Sequence, residues 1–193
     1  MRTIILDTES NGMRTEQICQ LSYIISDDGS YEGKNFFFSV DCMNEYAQKK
    51  HGFSKLRLYE LSRGRTFAQR ADEFIEDFIG VDLICGHNIK SDMRLLALCF
   101  GDAGYKLPEI KTFCTMLHFD NAANMKDRHG KHKRPSLAEL CRFYNISDER
   151  ILDYCVSVFG PSAYKAHDAR FDTAATTLCI LKGQENGDVK GVI

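Results

Sequence analysis

The sequence predicts an α/β fold, a mixed sheet of antiparallel meander plus parallel strands flanked by helices. Three observations lead there. Apolar, β-rich runs come first and are joined by short connections, which suits antiparallel pairing. Near residue 66 the hydrophobic repeat lengthens to a helical one. After that, short apolar runs alternate with helical patterns, the order expected of a sheet covered by helices.

Residues 3–6 and 19–26 are continuous apolar runs and read as two strands. Asp27, Asp28 and Gly29 form a turn signal, and residues 35–40 follow as a third strand. Phe67, Ala71, Phe74, Ile75 and Phe78 recur at helical spacing, with Asp72, Glu73, Glu76 and Asp77 filling the other face. A helix over 66–78 is therefore expected, with Thr66 as N-cap and Gly80 as stop. Residues 81–85 form a strand ending in Gly86-His87-Asn88. A helix then runs from about Ser91 to Gly101 with Leu95, Leu96 and Cys99 inward, and residues 111–116 are a further strand. Ser136 and Glu139 have capping-box spacing for a helix over 136–144. The last helix spans about 168–182, and the polar, Gly-rich tail 183–193 is expected to fray.

The chain's 193 residues suit one domain, here 1–182 plus that short tail. Apolar residues are 44% and charged residues 27%, as in an ordinary globular chain. Lys+Arg 25 against Asp+Glu 27 leaves a net charge of −2, so no global field attracts nucleic acid or anionic lipid. No apolar run approaches the roughly 20 residues that span a bilayer, and the N-terminus does not read as a signal peptide. The eight cysteines are scattered singly without a CxxC pair, which argues against a zinc ribbon. They read as reduced thiols of a cytoplasmic protein.

The carboxylates carry the chemistry. Asp7 and Glu9 are two residues apart at the end of the first strand, so both face the same way. Taken alone, the pair fits either a cation site or a polar strand end entering the Ser10-Asn11-Gly12 turn. Asp92 shares a helix face with Leu95, Leu96 and Cys99. A carboxylate on an apolar stripe needs a partner or a metal, although a helix N-terminus also favours an acid there. His167 and Asp172 open the last helix, and a His beside carboxylates is a candidate general base. Four carboxylates with one His suit Mg²⁺ or Mn²⁺, two of which can clamp an in-line phosphoryl displacement.

Asp7-Thr8-Glu9, then His87-Asn88 with Asp92, then His167-Asp168-Ala169 with Asp172 resemble the three motifs of the DEDDh, or DnaQ-like, 3′–5′ exonuclease family. That family includes the epsilon proofreading subunit of bacterial replicative polymerases. The resemblance runs from Met1 to about Lys182. His51-Gly52-Phe53 is similar to the family's His-Gly-Ile, and residues 136–141 to its Ser-Leu-x-x-Leu-Cys helix. It implies a ribonuclease-H-like fold and release of nucleoside 5′-monophosphates from a single-stranded or frayed 3′ end, with DNA favoured. By motif match Asp7, Glu9 and Asp172 would hold one of two metal ions, with Asp7 bridging to the second and Asp92 assisting there. His167 would take the proton from the attacking water. Met13 matches a residue that wedges against the terminal base, and His51 one near the terminal nucleotide. Thr8, Ser10, His87 and Asn88 are further expected substrate contacts. The chain departs from the family at Ser91, where many relatives carry an aromatic residue, and at Ser10-Asn11, where two Thr are common.

Residues 126–134 form a basic segment of net +4, carrying Lys131, Lys133 and Arg134. It reads as a loop, disordered without substrate, that contacts phosphates. Plain solvation of such a loop is the alternative. Three functional readings remain: a deoxyribonuclease, an RNA-trimming exoribonuclease, and a non-catalytic nucleic-acid-binding scaffold. The expected partner is a DNA or RNA 3′ end. A polymerase or repair partner and either a monomer or a homodimer are compatible. The short tail, without the long extension that ties the epsilon subunit to its polymerase, favours a stand-alone nuclease.

Overall fold

Ile4, Ile5 and Leu6 are wholly shielded from solvent, and the strand they build, β1 (Thr3–Ser10), runs through the middle of the sheet. The computed structural model describes residues 1–14 and 16–193. Its other strands are β2 (Ile18–Asp27), β3 (Ser30–Phe37), β4 (Leu83–Gly86) and β5 (Lys111–Cys114), in the order β3-β2-β1-β4-β5. β1 is antiparallel to β2 and parallel to β4, β2 is antiparallel to β3, and β4 is parallel to β5. This is the mixed sheet expected from the order of the elements.

The helices are α1 (Glu45–His51), α2 (Lys55–Ser62), α3 (Ile89–Asp102), α4 (Thr115–His118), α5 (Asp120–Ala123), α6 (Leu137–Phe143), α7 (Asp148–Phe159) and α8 (Ala169–Asn186). Strand alternation divides the core in two. Ile4, Leu6, Leu21 and Tyr23 meet α3 and a phenylalanine-rich segment on one face. Ile5, Ile24 and Cys85 meet residues of α6, α7 and α8 on the other. The Ser136 capping box forms as expected, and all eight cysteines are free thiols.

Several expectations are corrected. The helix expected over 66–78 is instead two 3-10 turns, Ala71–Glu73 and Ile75–Phe78, broken at Phe74 (φ −141°). That break lets Phe74 interlock with Phe36, Phe38, Phe67 and Phe100 at centroid distances of 4.7–5.9 Å. Burying such a ring is worth about 1.5–3 kcal/mol, against about 0.5–1.5 kcal/mol for a regular hydrogen bond. The third strand lies at Ser30–Phe37 rather than 35–40. Its first half is exposed and polar at the sheet edge, so no apolar period marks it. The strand expected over 111–116 stops at Cys114, where α4 begins.

The tail is packed rather than frayed. α8 continues to Asn186, Val189 and Val192 are buried, and Thr3 Oγ1 donates to the Val192 carbonyl at 2.9 Å. The basic segment is an ordered hairpin. Asp127 Oδ1 accepts from the amides of His129 and Lys131, and Lys126 pairs with His132. No helix among the described residues is long and apolar enough to cross a membrane.

Candidate active site

β1 pairs with β4 as far as Ile5 opposite Cys85, so among the described residues Asp7 to Ser10 pair only with β2. The chain leaves β4 at Gly86 and turns into α3, which opens a crevice beyond the carboxyl ends of these parallel strands. Such sheets place their ligand sites there. Ser10, Asp7, Thr8, Asp92 and Lys50 line this crevice of about 300 Å³.

Alternation places Asp7 and Glu9 on the face of Ile5, which is covered by α8, and Thr8 on the face of Leu6, which is covered by α3. Thr8 accordingly reaches Asp92 of α3. Its hydroxyl donates to Asp92 Oδ1 at 2.7 Å and its amide donates to the same oxygen at 3.2 Å. From the other face α8 brings Asp172, one turn into the helix. Donor atoms of Glu9, His167 and Asp172 lie within 4.8 Å of one another, a spacing that could hold a cation. Asp7 and Asp92 fall outside that tight group, but both act on the same charge cluster.

His167 sits immediately before α8 in the left-handed region (φ +64°), where a residue with a Cβ is strained. Asp168 caps α8 and fixes this geometry. Its carboxylate accepts from the Arg170 amide (3.1 Å), Arg170 Nε (2.9 Å) and Nη2 (2.6 Å), and Gln20 Nε2 (2.8 Å). Gln20 lies opposite Glu9 in the β1–β2 register and also accepts from the Ala169 amide at 3.0 Å. His167 Nδ1 thereby faces Asp172 Oδ2 at 3.8 Å.

Enclosing so much negative charge has a cost. Burial, then Asp172, Asp92 and Glu9, push the Asp7 carboxyl well above the usual range. Burial raises Glu9 to about 8, and raises Asp92 and Asp172 to about 6. The two Thr8 hydrogen bonds hold Asp92 down, and the His167 backbone does the same for Asp172. Lys50 lowers all four. A cluster that strains to stay ionised, and consists of hard oxygen donors, fits a divalent cation. His167 is shifted the other way, lowered by burial and then by Lys50 and Lys165.

The remaining expected contacts are spread along the crevice. Met13 is half-buried in the loop whose Gly12 packs on Ala47 of α1. His51 is buried and its Nδ1 accepts from the Phe53 amide at 3.0 Å. Burial lowers the His51 pKa to about 4 against an opposing contribution from the Ser10 backbone, and its Nε2 is buried without a hydrogen-bond partner among the described residues. Both ring nitrogens of His87 are engaged inside the protein, with Thr115 Oγ1 (3.0 Å) and the Pro135 carbonyl (3.1 Å), which tethers the basic hairpin to the crevice wall. Asn88 is exposed at φ +68° and donates to Ser91 Oγ, so Ser91 secures the turn before Asp92. Lys131 and Arg134 are exposed, whereas Lys133 Nζ is bound by the Glu139 carboxylate at 2.6 and 2.7 Å. Lys50, Gln20 and Arg170 do not stand out in the sequence as site residues. Gln20 alone leaves a signal, an amide inside an apolar strand run.

No family model and no curated protein sequence matches the chain. Solved structures do match. E. coli exonuclease I in complex with a dT13 oligonucleotide aligns at a TM-score of 0.71 and 15% identity over 96% of this chain. Exonuclease I without ligand gives 0.72 and 15% over 95%. A metal-free E. coli exonuclease I–single-stranded DNA complex gives 0.67 and 13% over 97%. The fold is ribonuclease-H-like. The chain spans only about two fifths of those proteins, 40%, 42% and 41% of their lengths. Within this ribonuclease-H-like frame, the crevice at the end of β1 is where the carboxylates converge.

Proposed function

We propose that this chain is a metal-dependent 3′–5′ exonuclease of the DEDDh type acting on single-stranded DNA ends. The observation that carries the reading is the convergence of Asp7, Glu9, Asp92 and Asp172 from three elements on one crevice, with His167 at its edge. The single-stranded DNA held by exonuclease I supports DNA as the polymer. Asp7, Glu9 and Asp172 would hold one Mg²⁺ or Mn²⁺ ion, and Asp7 with Asp92 a second. Ions held there would supply positive charge against the carboxylates, the phosphate and the departing 3′ oxygen.

The chain's own residues supply the rest. With Nδ1 turned to Asp172, His167 leaves Nε2 to accept the proton of the attacking water. Its lowered pKa keeps Nε2 unprotonated near neutrality. Water oxygen bonds to phosphorus as the bond to the 3′ oxygen breaks; that oxygen takes its proton from a solvent water and His167 returns its own to solvent, giving a nucleoside 5′-monophosphate. Ser10, Met13 and Asn88 hold the terminal nucleotide, and the buried His51 backs them from inside the protein. The test is digestion of 5′-labelled single-stranded DNA and RNA with Mg²⁺ or Mn²⁺. A ladder shortening from the 3′ end, lost in EDTA and in Asp7→Ala, is expected. No cleavage of either polymer under any metal condition overturns the reading.

A further inference from the structure

A second cavity, of about 280 Å³, opens beside Phe53, between α2 and the segment that leads into His167. Its walls are aromatic. Phe53 meets Phe37 edge-on at 5.2 Å and stacks on His51 at 5.4 Å, and Tyr164 closes the other side. Arg170 braces these walls, its guanidinium 4.6 Å from the Tyr164 ring and 5.6 Å from Phe37. Because Arg170 already donates to Asp168 and Ser162, it has no need of a ligand.

Two other cations at this cavity have little structural work. The Lys165 ammonium makes no hydrogen bond or ion pair among the described residues, and it lies over Gly52, where any side chain would collide with it. Among the described residues the Arg57 guanidinium is held only by an exposed pair with Glu60, and such pairs contribute about 0–1 kcal/mol. Arg57 belongs to a second basic region, distinct from the 126–134 hairpin. Residues 45–65 carry six Lys and Arg against two Glu, with Tyr46, Leu56 and Tyr59 at 79%, 68% and 58% exposure. Cations interleaved with exposed aromatic side chains are the features of a single-strand binding surface.

We infer that the cavity between α2 and Tyr164–Lys165 is a nucleotide subsite, in which Phe53 and Tyr164 take a base and Lys165 and Arg57 take a phosphate. Its volume is near the lower end for ligand pockets, about 300–1,000 Å³, which suits one nucleotide. The nucleotide can belong to the bound strand or be a free monophosphate, and both present the same base and phosphate. The inference rests on the nuclease reading for its strand arm and stands apart from it for its free-nucleotide arm.

The test uses the whole chain in EDTA, where cleavage is off, with two probes: dTMP by calorimetry, and a fluorescein-labelled dT13 by anisotropy across a salt series. The variants are Lys165→Glu with Arg57→Glu, and Lys106→Glu with Lys190→Glu, two exposed lysines that line neither cavity, as a charge-matched control. Expected is dT13 binding weakened at least tenfold by the double reversal. Its slope of log affinity against log salt should fall by about 0.7 for each phosphate no longer neutralised, with little change in the charge-matched control. Loss of dTMP binding in the same variant assigns the free monophosphate as well, whereas loss for dT13 alone assigns the subsite to the strand. Unchanged affinity and slope for both probes overturn the inference even where the wild type cuts DNA. A wild type that cuts nothing but binds dTMP in a Lys165-dependent way sinks the nuclease reading and leaves the subsite standing.

Discussion

The Thr8 hydroxyl donates to Asp92 Oδ1 at 2.7 Å, and the Thr8 amide donates to that oxygen at 3.2 Å. One residue of β1 thus binds a carboxylate 84 positions away on α3 and fixes the direction in which its second oxygen points. Groups that orient a ligand in this way typically account for about 10–100-fold in metal affinity. Thr8→Val keeps the shape and removes the hydroxyl. Its Mn²⁺ affinity, measured by calorimetric titration, is expected to fall by about tenfold. Wild-type affinity in the variant would mean that Asp92 needs no such orientation.

The raised carboxyl groups predict an unusual stability profile without metal. A carboxyl whose folded pKa lies above its unfolded value binds more protons when folded, so stability falls as pH rises between the two values. Here that window runs from about 4, the ordinary carboxylate range, to about 8, set by Glu9. Melting temperature in EDTA is therefore expected to fall from about pH 5 to about pH 8. Mn²⁺ should raise it more at the alkaline end of that window than at the acid end, because the ion relieves repulsion that exists only among ionised groups. Asp7→Asn should flatten the profile. A melting temperature that climbs steadily across the window without metal contradicts a strained carboxylate cluster.

The parts legible in sequence are those with a local signal. β1, β2, α6 and the start of α8 are marked by apolar runs or caps that act within a few residues, and Asp7, Glu9, Asp92 and Asp172 stand out because acids border apolar stripes. The Phe74 break is set by four rings from three other stretches of the chain, and the first half of β3 is an exposed edge, so neither has a local period. The roles of Lys50 and Arg170 arise only in three dimensions. An exposed lysine on α1 looks like an ordinary surface charge until the fold brings it to the crevice, and an arginine in the first turn of α8 does so until Gln20 and Phe37 of the sheet enclose its pair with Asp168.

His167 carries a prediction that separates proton transfer from binding. Removing a positioned general base typically costs about 10²–10⁴-fold in rate. His167→Gln should lower kcat by that order and leave dT13 affinity in EDTA within about twofold. Because burial, Lys50 and Lys165 lower the histidine's pKa, the acid limb of the wild-type rate profile is expected below the ordinary histidine value of about 6.5 and should vanish in the variant. A loss confined to KM would make His167 a substrate contact.

Asp168 and Arg170 are an enclosed ion pair, with side-chain exposures of 4% and 13%. Breaking such a pair costs more than its net worth, because the surviving charge stays buried, at about 3–5 kcal/mol. Asp168→Ala is therefore expected to lose about that much in urea unfolding, and Asp168→Ala with Arg170→Met to recover part of it. The recovery should not extend to catalysis. Strain such as that at His167 (φ +64°) costs about 1–3 kcal/mol and persists only where the surroundings impose it. Here they are the Asp168 cap and its bond from Gln20. The double variant should fold stably yet turn over slowly, with kcat reduced and dT13 binding retained. Full recovery of kcat along with stability would show that His167 holds its conformation without Asp168.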